Sequence, residues 1–260
     1  MIDKNMDNDK IITARIEDKL EQAERGSYIT TTGFLNMHEQ SLAMRVVRGR
    51  NDVKSFFYGG YEDAERGILM FVPDVYADTL EEALEMISPL SVLHIKASPG
   101  GRKLTHRDYL GSVLSLGLDR SVIGDILVND KGADMIINSE IVDFLLSEFH
   151  SAGHTNLQIT ASEICNLKVP EQMVKSVRDT LSSPRLDNVV SAAFHVSRSE
   201  AVRAIKGGIV FVNHDEVTKI DKRIDEGNTI VLRGKGKAVL TEFSGLSKKG
   251  RIWAEFKVFI

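Results

Sequence analysis

Cationic side chains follow a helix start signal in the stretch SRSEAVRAIKGGIVFVN, which begins at Ser197. Arg198, Arg203 and Lys206 are residue types that bind phosphate groups through charge-assisted hydrogen bonds. Ser197 with Glu200 three residues later forms a capping box, which fixes where a helix begins. Arg203 and Lys206 stand three apart, outside the apolar stripe of that helix. The spacing predicts a cationic helix face for phosphate, supported by Ser197 and the free amides of the helix start.

More cations lie before this helix and on the strands that follow it. The further candidate contacts are Arg185, Asn213, Lys222, Arg223, Arg233 and Lys235. They are far apart in the chain, so they share a surface only if the fold brings them together. A single lysine is usually just a solvated side chain. Several cations on a helix pair followed by strands favour a nucleic-acid surface.

A second candidate phosphate site lies in SPGGRKLTHRD, where two glycines and several cations precede a helix start at Thr105. Free backbone amides and the dipole of a helix N-terminus attract anions. The spacing is not that of a nucleotide-binding P-loop. A solvated glycine turn with surface cations is the alternative. The candidate side chains of this site are Arg102, Lys103, His106 and Arg107, following Gly100 and Gly101.

Charge is distributed unevenly along the 260 residues, although the net charge is only −4. Residues 166–260 contain 17 Lys and Arg against 11 Asp and Glu, whereas residues 1–165 contain 16 against 26. Nucleic-acid binding is carried by Lys and Arg, so the basic third is the part expected to bind a nucleic acid. The acidic part would be repelled by most of a nucleic-acid surface. We interpret it as a device that restricts how the basic face docks.

Several classes of site and location are disfavoured by the sequence. Cys165 is the only cysteine, and its apolar neighbours Ile164 and Leu167 predict a buried packing role. His150 and His154 stand four apart where a helix is expected to end, so no zinc or other metal site and no cofactor are predicted. No signal pattern and no apolar run of about 20 residues is present. We therefore expect a monomeric cytoplasmic protein with no membrane partner.

The periodicities predict a mixed α+β protein of three small domains. Helices at 10–26 and Asn36–Val47, with a hairpin around SFFYGGYEDAERGILMFVP, form an N-terminal α+β domain at residues 1–75. Residues 76–168 read β-α-β-β-α-β, the ferredoxin-like order that RNA recognition motifs share with domains that bind no RNA. Its expected central strands, DILVND and DMIIN, carry no aromatic side chain for base stacking.

The third domain is predicted at residues 180–260. Apolar residues recur at helical spacing in RLDNVVSAAF, and the helix that begins at Ser197 ends at the glycine pair GG. Strands are expected at 209–212, 216–220 and 229–233, and the C-terminal RIWAEFKVFI alternates as a strand that completes a sheet. Trp253 and Phe259 lie on the outward face of that strand, where domain packing is favoured over base stacking.

The basic third resembles an S4-type RNA-binding domain, an αL-type fold. The resemblance rests on R-L-D at Arg185, the S-R-S-E-A helix start, the I-x-x-G-x-V-x-V-N turn and the closing strand TIVL. It implies RNA contacts from Ser197, Asn213 and the cations of this segment: Arg185, Arg198, Arg203, Lys206, Lys222, Arg223, Arg233 and Lys235. His214 stands where the module usually has glycine, and Asn228 where it usually has aspartate, so both positions raise a question about turn geometry.

The middle segment GGRKLTHRDYLGSVLSLGLDRSVIGDILV is similar to YlmH-type proteins, and the order of the three domains agrees with theirs. That resemblance implies a bacterial, ribosome-associated RNA-binding factor. It also implies large-subunit rRNA and tRNA as partners, on stalled large (50S) subunits that carry peptidyl-tRNA in ribosome-associated quality control. The implied role is non-enzymatic.

Two other functions remain open at this point. S4-type domains also occur in pseudouridine synthases, which would make the protein an RNA-modifying enzyme; such enzymes need a catalytic aspartate in a separate large domain, whereas Asp187 lies in the predicted binding helix. The upstream residues, divided between two small domains, leave little room for such a catalytic fold. The basic face could instead bind an acidic protein partner.

Overall fold

The computed structural model describes residues 2–50, 53–62, 64–99, 102–169, 174–213 and 215–259. The chain separates into two compact units, Met1–Pro170 and Glu171–Ile260. Gly100, Gly101 and His214, which the sequence analysis singled out, lie outside the described residues. Both units mix helices and antiparallel strands, which confirms the α+β class.

The first unit begins with a helical layer on a small sheet. Its elements are α1 (Ile2–Gly26), β1 (Thr30–Thr31), α2 (Met37–Val47), β2 (Val53–Tyr58) and β3 (Ile68–Pro73). The strands pair in the order β1-β3-β2, and apolar residues of α1 and α2 pack on them. The predicted helices and hairpin are confirmed, and α1 begins eight residues earlier than its apolar pattern indicated. Asn36 caps α2 with Glu39 as a capping box.

The second half of this unit has the ferredoxin-like strand order. Its elements are α3 (Leu80–Met86), β4 (Leu90–Ala97), α4 (His106–Leu114), β5 (Ile123–Asn129), β6 (Gly132–Asn138), α5 (Val142–Glu148), β7 (Ser151–Ala152) and β8 (Thr155–Glu163). The sheet runs β5-β6-β4-β8-β7, so the first strand, β4, lies between the third and the last strands of the motif. The predicted β-α-β-β-α-β order is confirmed, with β7 as an additional short strand.

Asp125 links the two halves of the first unit, which also share an apolar core. This carboxylate is mostly buried in β5 and accepts hydrogen bonds from the Tyr61 hydroxyl (2.8 Å) and the Glu65 and Arg66 amides (2.7 and 3.1 Å). All three donors belong to the loop between β2 and β3. A mostly buried carboxylate with three donors holds the segments together, because losing one donor would leave a charge uncompensated. A domain boundary near residue 75 remains a proposal.

The described residues of the second unit form a sheet of six strands with two helices. Its elements are β9 (Val174–Leu181), α6 (Leu186–Ala193), α7 (Arg198–Lys206), β10 (Val210–Val212), β11 (Asp215–Glu216), β12 (Thr229–Leu232), β13 (Gly236–Leu246) and β14 (Ile252–Phe259). The order is β11-β10-β12-β13-β14-β9, and every neighbouring pair is antiparallel. The apolar faces of α6 and α7 share one core with the sheet. The C-terminal strand predicted from its alternation is confirmed as β14, which lies between β13 and β9 in the sheet.

Two parts of this unit differ from the prediction. The edge strand β9 begins at Val174, before the expected start of the domain at residue 180. The strand expected at 216–220 stops at Glu216. Beyond it, the carbonyls of Ile220 and Lys222 accept the amides of Asp187 and Leu186 (3.2 and 2.9 Å). These bonds hold the segment against the start of α6 instead of in a strand ladder.

The prediction for Cys165 is wrong. Its thiol is exposed in a 3-10 turn at Ile164–Asn166. Ile164 packs against the core of the first unit, so the neighbour, not the cysteine, supplies the apolar contact. Within the described part of the chain, no helix is both long and apolar enough to cross a membrane.

Candidate nucleic-acid interface

A buried carboxylate organises the cations at the start of α6. The Asp187 side chain is only 1% exposed, and its two oxygens accept hydrogen bonds from Arg185 Nε (3.1 Å) and Arg198 Nε (2.9 Å). Burial acts to raise the pKa of Asp187, but the hydrogen bonds and charges of Arg198 and Arg185 outweigh it and lower that pKa. The carboxylate therefore stays ionised and holds both half-exposed guanidiniums in fixed positions at the surface.

The loop after β11 brings further cations to the same place. The Leu186 amide donates to Lys222 O (2.9 Å), and the backbones of Arg185 and Arg223 form an antiparallel bridge. The Arg223 guanidinium also pairs with Asp225 (3.2 Å), but both side chains are well exposed. Side chains from positions nearly 40 residues apart thus share one surface. We call it the α6 cluster, and its members are Arg185, Arg198, Lys222 and Arg223.

A second group of cations lies on α7 and on the turn between β12 and β13. The Arg233 amide donates to Ile209 O (3.0 Å), which ties this turn to the chain just after α7. Arg203 and Lys235 both lower the pKa of Glu200 through their charge, so each lies near that carboxylate at the start of α7. All four side chains of this group are exposed. We call it the α7 cluster, and its members are Arg203, Lys206, Arg233 and Lys235.

The α7 cluster differs from the α6 cluster in its pairing. Among the described residues, none of its four cations lies within 4.0 Å of a carboxylate oxygen. Exposed cations without a close partner keep their full charge for phosphate. The α7 cluster therefore has more unpaired cations than the α6 cluster.

Ser197 has a local structural role. The Glu200 amide donates to Ser197 Oγ (3.2 Å), while the Ser197 amide and hydroxyl donate to Glu200 Oε2 (2.8 and 2.7 Å). These hydrogen bonds from Ser197, and the charges of Arg203 and Lys235, hold the pKa of Glu200 below its usual range. The predicted capping box is confirmed. An ionised carboxylate at the start of α7 makes that helix end less suited to phosphate than the cations around it.

Turn residues position the strands that carry the cations. Asn213 has φ +50°, and its side-chain oxygen accepts the Thr229 amide (2.8 Å). Asn228 accepts the Asp225 amide through its side-chain oxygen (3.1 Å). An aspartate would supply the same acceptor, so this departure from the S4 pattern preserves the turn. The Asn213 side chain, which was predicted to contact RNA, therefore already holds the residue after β10 against the start of β12.

At the second candidate phosphate site, at the start of α4, cations are paired with nearby carboxylates. Arg102 donates to Asp108 Oδ2 (2.9 Å) and also to its other oxygen, and Lys103 donates to Asp130 (3.0 Å). The hydrogen bonds from Arg102 and from Thr105 hold the pKa of Asp108 well below its usual range. Burial lowers the pKa of His106, so its imidazole is neutral near pH 7. Arg102 and Lys103 are thus each paired with a carboxylate, and among the described residues Arg107 is the cation of this site that has none within 4.0 Å.

We expect replacement of Arg102 and Lys103 by alanine to change RNA affinity less than about twofold, because both cations already have carboxylate partners at the surface. Fluorescence anisotropy with a labelled RNA stem-loop measures the affinity. A loss as large as that caused by changes in the α7 cluster would instead identify the α4 start as an RNA site.

Comparison with known proteins gives matches in the same order as the folded segments. Residues 8–74 match the N-terminal domain of YlmH, residues 89–166 match the family described as "Putative RNA-binding domain in YlmH", and residues 184–230 match the S4 domain. One relative of this chain is "Ribosome-associated protein quality control protein P2" of Bacillus subtilis (strain 168). It is 30% identical over 220 residues, which cover 85% of this chain and 83% of that protein.

A solved structure shares the fold. "Cell division protein ylmH from Streptococcus pneumoniae" superposes with a TM-score of 0.51 at 20% identity, over 63% of this chain and 95% of that one. The S4 match includes α6, α7 and the loop that carries Lys222 and Arg223. From the order of these matches and the extent of the relationship to the Bacillus subtilis protein, the chain belongs to the YlmH family of S4-domain RNA-binding proteins.

Proposed function

We propose that this protein is a non-enzymatic factor that uses the α6 and α7 clusters to hold structured RNA on stalled large ribosomal subunits carrying peptidyl-tRNA. Its partners would be large-subunit rRNA and tRNA, and it would act as a cytoplasmic monomer. The observation that carries the proposal is the convergence of eight cations from the S4 segment and the adjacent turn on the surface of one small unit. The name of the Bacillus subtilis relative supports the ribosomal setting.

The two clusters suit different parts of this task. Arg185 and Arg198 are held by buried Asp187, so they present guanidiniums in one geometry. The α7 cluster has exposed cations with more freedom to follow a phosphate backbone. Structured RNA is recognised largely through shape and backbone contacts. The arginines held by Asp187 would set the position of the RNA, and the unpaired cations of the α7 cluster would add affinity.

An RNA-modifying enzyme is less well supported. Asp187, an aspartate in the S4 segment, is buried and has both oxygens bonded to arginines. A catalytic aspartate has to reach the substrate base, which this side chain cannot do without breaking both pairs. The geometry of Asp187 supports a positioning role.

Crosslinking in growing cells, followed by sequencing of the attached RNA, tests the proposal. We expect recovery of large-subunit rRNA and tRNA, together with co-sedimentation of the protein with free large subunits in a sucrose gradient. Ribonuclease treatment before the gradient should release the protein. Recovery of no specific RNA, with co-sedimentation that resists ribonuclease, would favour the acidic-partner alternative and overturn the proposal.

A further inference from the structure

The hairpin between β13 and β14 lies outside the S4 match and carries a further group of cations, distinct from the α6 and α7 clusters. These cations lie around an aromatic side chain. A shallow cavity of about 520 Å³ is lined by Thr180, Leu246, Ser247, Lys248, Lys249, Arg251 and Trp253. Among the described residues, this lining includes three cationic side chains and no carboxylate. Leu246 is 70% exposed and adds apolar area beside Trp253.

Trp253 is held in a defined orientation at this cavity. Its neighbour Ala254 faces the core, so Trp253 points to the outer face of β14. The Arg178 guanidinium lies 4.7 Å from the centre of the indole ring, and Arg178 also pairs with Glu255 (3.3 Å). A ring fixed in this way keeps its remaining surface available without an entropic cost on binding.

The turn itself is well ordered by its own hydrogen bonds. The Ser247 amide donates to Arg251 O (2.7 Å), and the Arg251 amide donates to Ser247 Oγ (3.0 Å). Gly250 supplies the positive φ of +73° that closes the turn. Lys248 and Lys249 are exposed at its tip. Their charges are therefore presented beside the indole ring by a fixed backbone.

Arg251 connects this hairpin to the α6 cluster. It lines the cavity with Trp253, and it also lines a smaller cleft of about 210 Å³ together with Asn188 and Arg198. Its guanidinium donates to the carbonyl of Thr180, and this hydrogen bond fixes the Arg251 side chain between the cavity and the cleft. The cleft also contains the partly exposed Asp179, so cations extend from the start of α6, past this carboxylate and Arg251, to the hairpin tip.

We propose that this hairpin, with Leu246, Lys248, Lys249, Arg251 and Trp253, binds an unpaired nucleotide that flanks the structured RNA held by the α6 cluster. The base would stack against Trp253 and Leu246, and the lysines would contact the neighbouring phosphates. The inference rests on the proposed function. An apolar, aromatic floor surrounded by cations fits a base with its phosphates better than it fits an acidic peptide, which offers no planar ring.

Trp253 is the only tryptophan of the chain, so its fluorescence reports on this site alone. The probes are a labelled RNA stem-loop with a short oligoadenylate 3′ extension and the same stem-loop with a blunt end. We expect only the extended RNA to quench Trp253 fluorescence and expect the extension to raise affinity about tenfold at low salt. Both affinities are measured by anisotropy of the RNA label.

Three variants and a charge-matched control complete the test. Trp253→Leu, and Lys248→Ala with Lys249→Ala, should each abolish the gain from the extension but leave binding of the blunt stem-loop nearly unchanged. Trp253→Phe should retain part of the gain, since phenylalanine still stacks. The control, Lys175→Ala with Lys257→Ala, removes two exposed lysines at the other end of β9 and β14 and should retain the gain.

The outcomes separate this inference from the function on which it rests. Binding of both RNAs with equal affinity and unchanged tryptophan fluorescence would overturn the hairpin site and leave the S4 surface intact. Quenching by a polyglutamate peptide but not by the extended RNA would assign the hairpin to a protein partner, which also overturns the proposal. Failure of both RNAs to bind would remove the proposed function, and this inference with it.

Discussion

Replacement of Arg203 and Lys206 by glutamate is expected to lower RNA affinity about 100-fold, while the second unit stays folded. Both side chains are exposed on α7, and neither has a carboxylate within ion-pair distance among the described residues. Their charge is therefore available to phosphate. Glutamate is as good a helix former as arginine or lysine, so α7 should persist. Anisotropy with the labelled stem-loop gives the affinity, and circular dichroism gives the fold.

The charge-matched control for this change is Lys175→Glu with Lys257→Glu. These lysines are exposed on β9 and β14, at the edge of the sheet opposite β10 and β11. We expect the control to lose less than about threefold in affinity, through the general field alone. The dependence of log affinity on log salt should become shallower by about 1.5 in the α7 variant only. Equal losses in the two variants would mean that net charge, not the α7 cluster, governs binding.

Arg198 is a poor choice for the same test, although its sequence position suggests it. Its guanidinium donates to Asp187, whose side chain is buried. A glutamate at position 198 would place a second carboxylate beside a buried one, which disrupts folding as well as binding. A loss of binding in such a variant could not be assigned to phosphate contacts.

Local patterns in the sequence were sufficient for most elements. The capping box at Ser197 and Glu200 and the strand-turn signals around Asp130 act over a few residues, and the structure has α7 and the β5–β6 hairpin where they predicted them. The β-α-β-β-α-β order likewise follows from successive periodicities. Such features are encoded close together in the chain, so one sequence is enough to find them.

The electrostatic partners could not be predicted in the same way. Asp187 and Arg198 are eleven residues apart, on two helices whose packing brings them together. Asp125 accepts hydrogen bonds from Tyr61 and the following loop, about 60 residues earlier. These contacts depend on tertiary packing, and nothing in their spacing indicates them. The pairing of Arg102 with Asp108 is local, yet the sequence does not say which of several nearby cations the carboxylate takes.

The environment of the aromatic residues of β14 was predicted only in part. Alternation in RIWAEFKVFI predicted that Trp253 and Phe259 face outward, and the buried residues Ala254, Phe256 and Val258 agree. The cation partners, Arg178 for Trp253 and Lys237 for Phe259, come from the neighbouring strands β9 and β13. Since β9 was not predicted, neither was the orientation that Arg178 gives to the ring. Periodicity identifies a face, whereas strand order decides what lies on it.

The buried charge of Asp187 makes a second large effect predictable. Arg198→Ala is expected to lower the free energy of unfolding of the second unit by about 2 to 3 kcal/mol at pH 7, because it removes one of two donors from a buried carboxylate. Urea unfolding of the full chain, followed by fluorescence of Trp253, reports on this unit. The control is Arg223→Ala, since Arg223 pairs with Asp225 at 78% and 68% exposure and should cost less than about 0.5 kcal/mol.

Acid provides an independent check on this assignment. Because the folded protein lowers the pKa of Asp187, its ionisation stabilises the fold above the unfolded-state pKa of about 4, and that stabilisation is lost as the pH falls through the folded-state value. The penalty of Arg198→Ala should therefore shrink as the pH is lowered from 7 toward 3, since a protonated Asp187 needs its arginine less. The Arg223→Ala difference should stay small throughout. A penalty for Arg198→Ala that is independent of pH would mean that lost packing of the arginine, rather than the buried ion pair, accounts for the destabilisation.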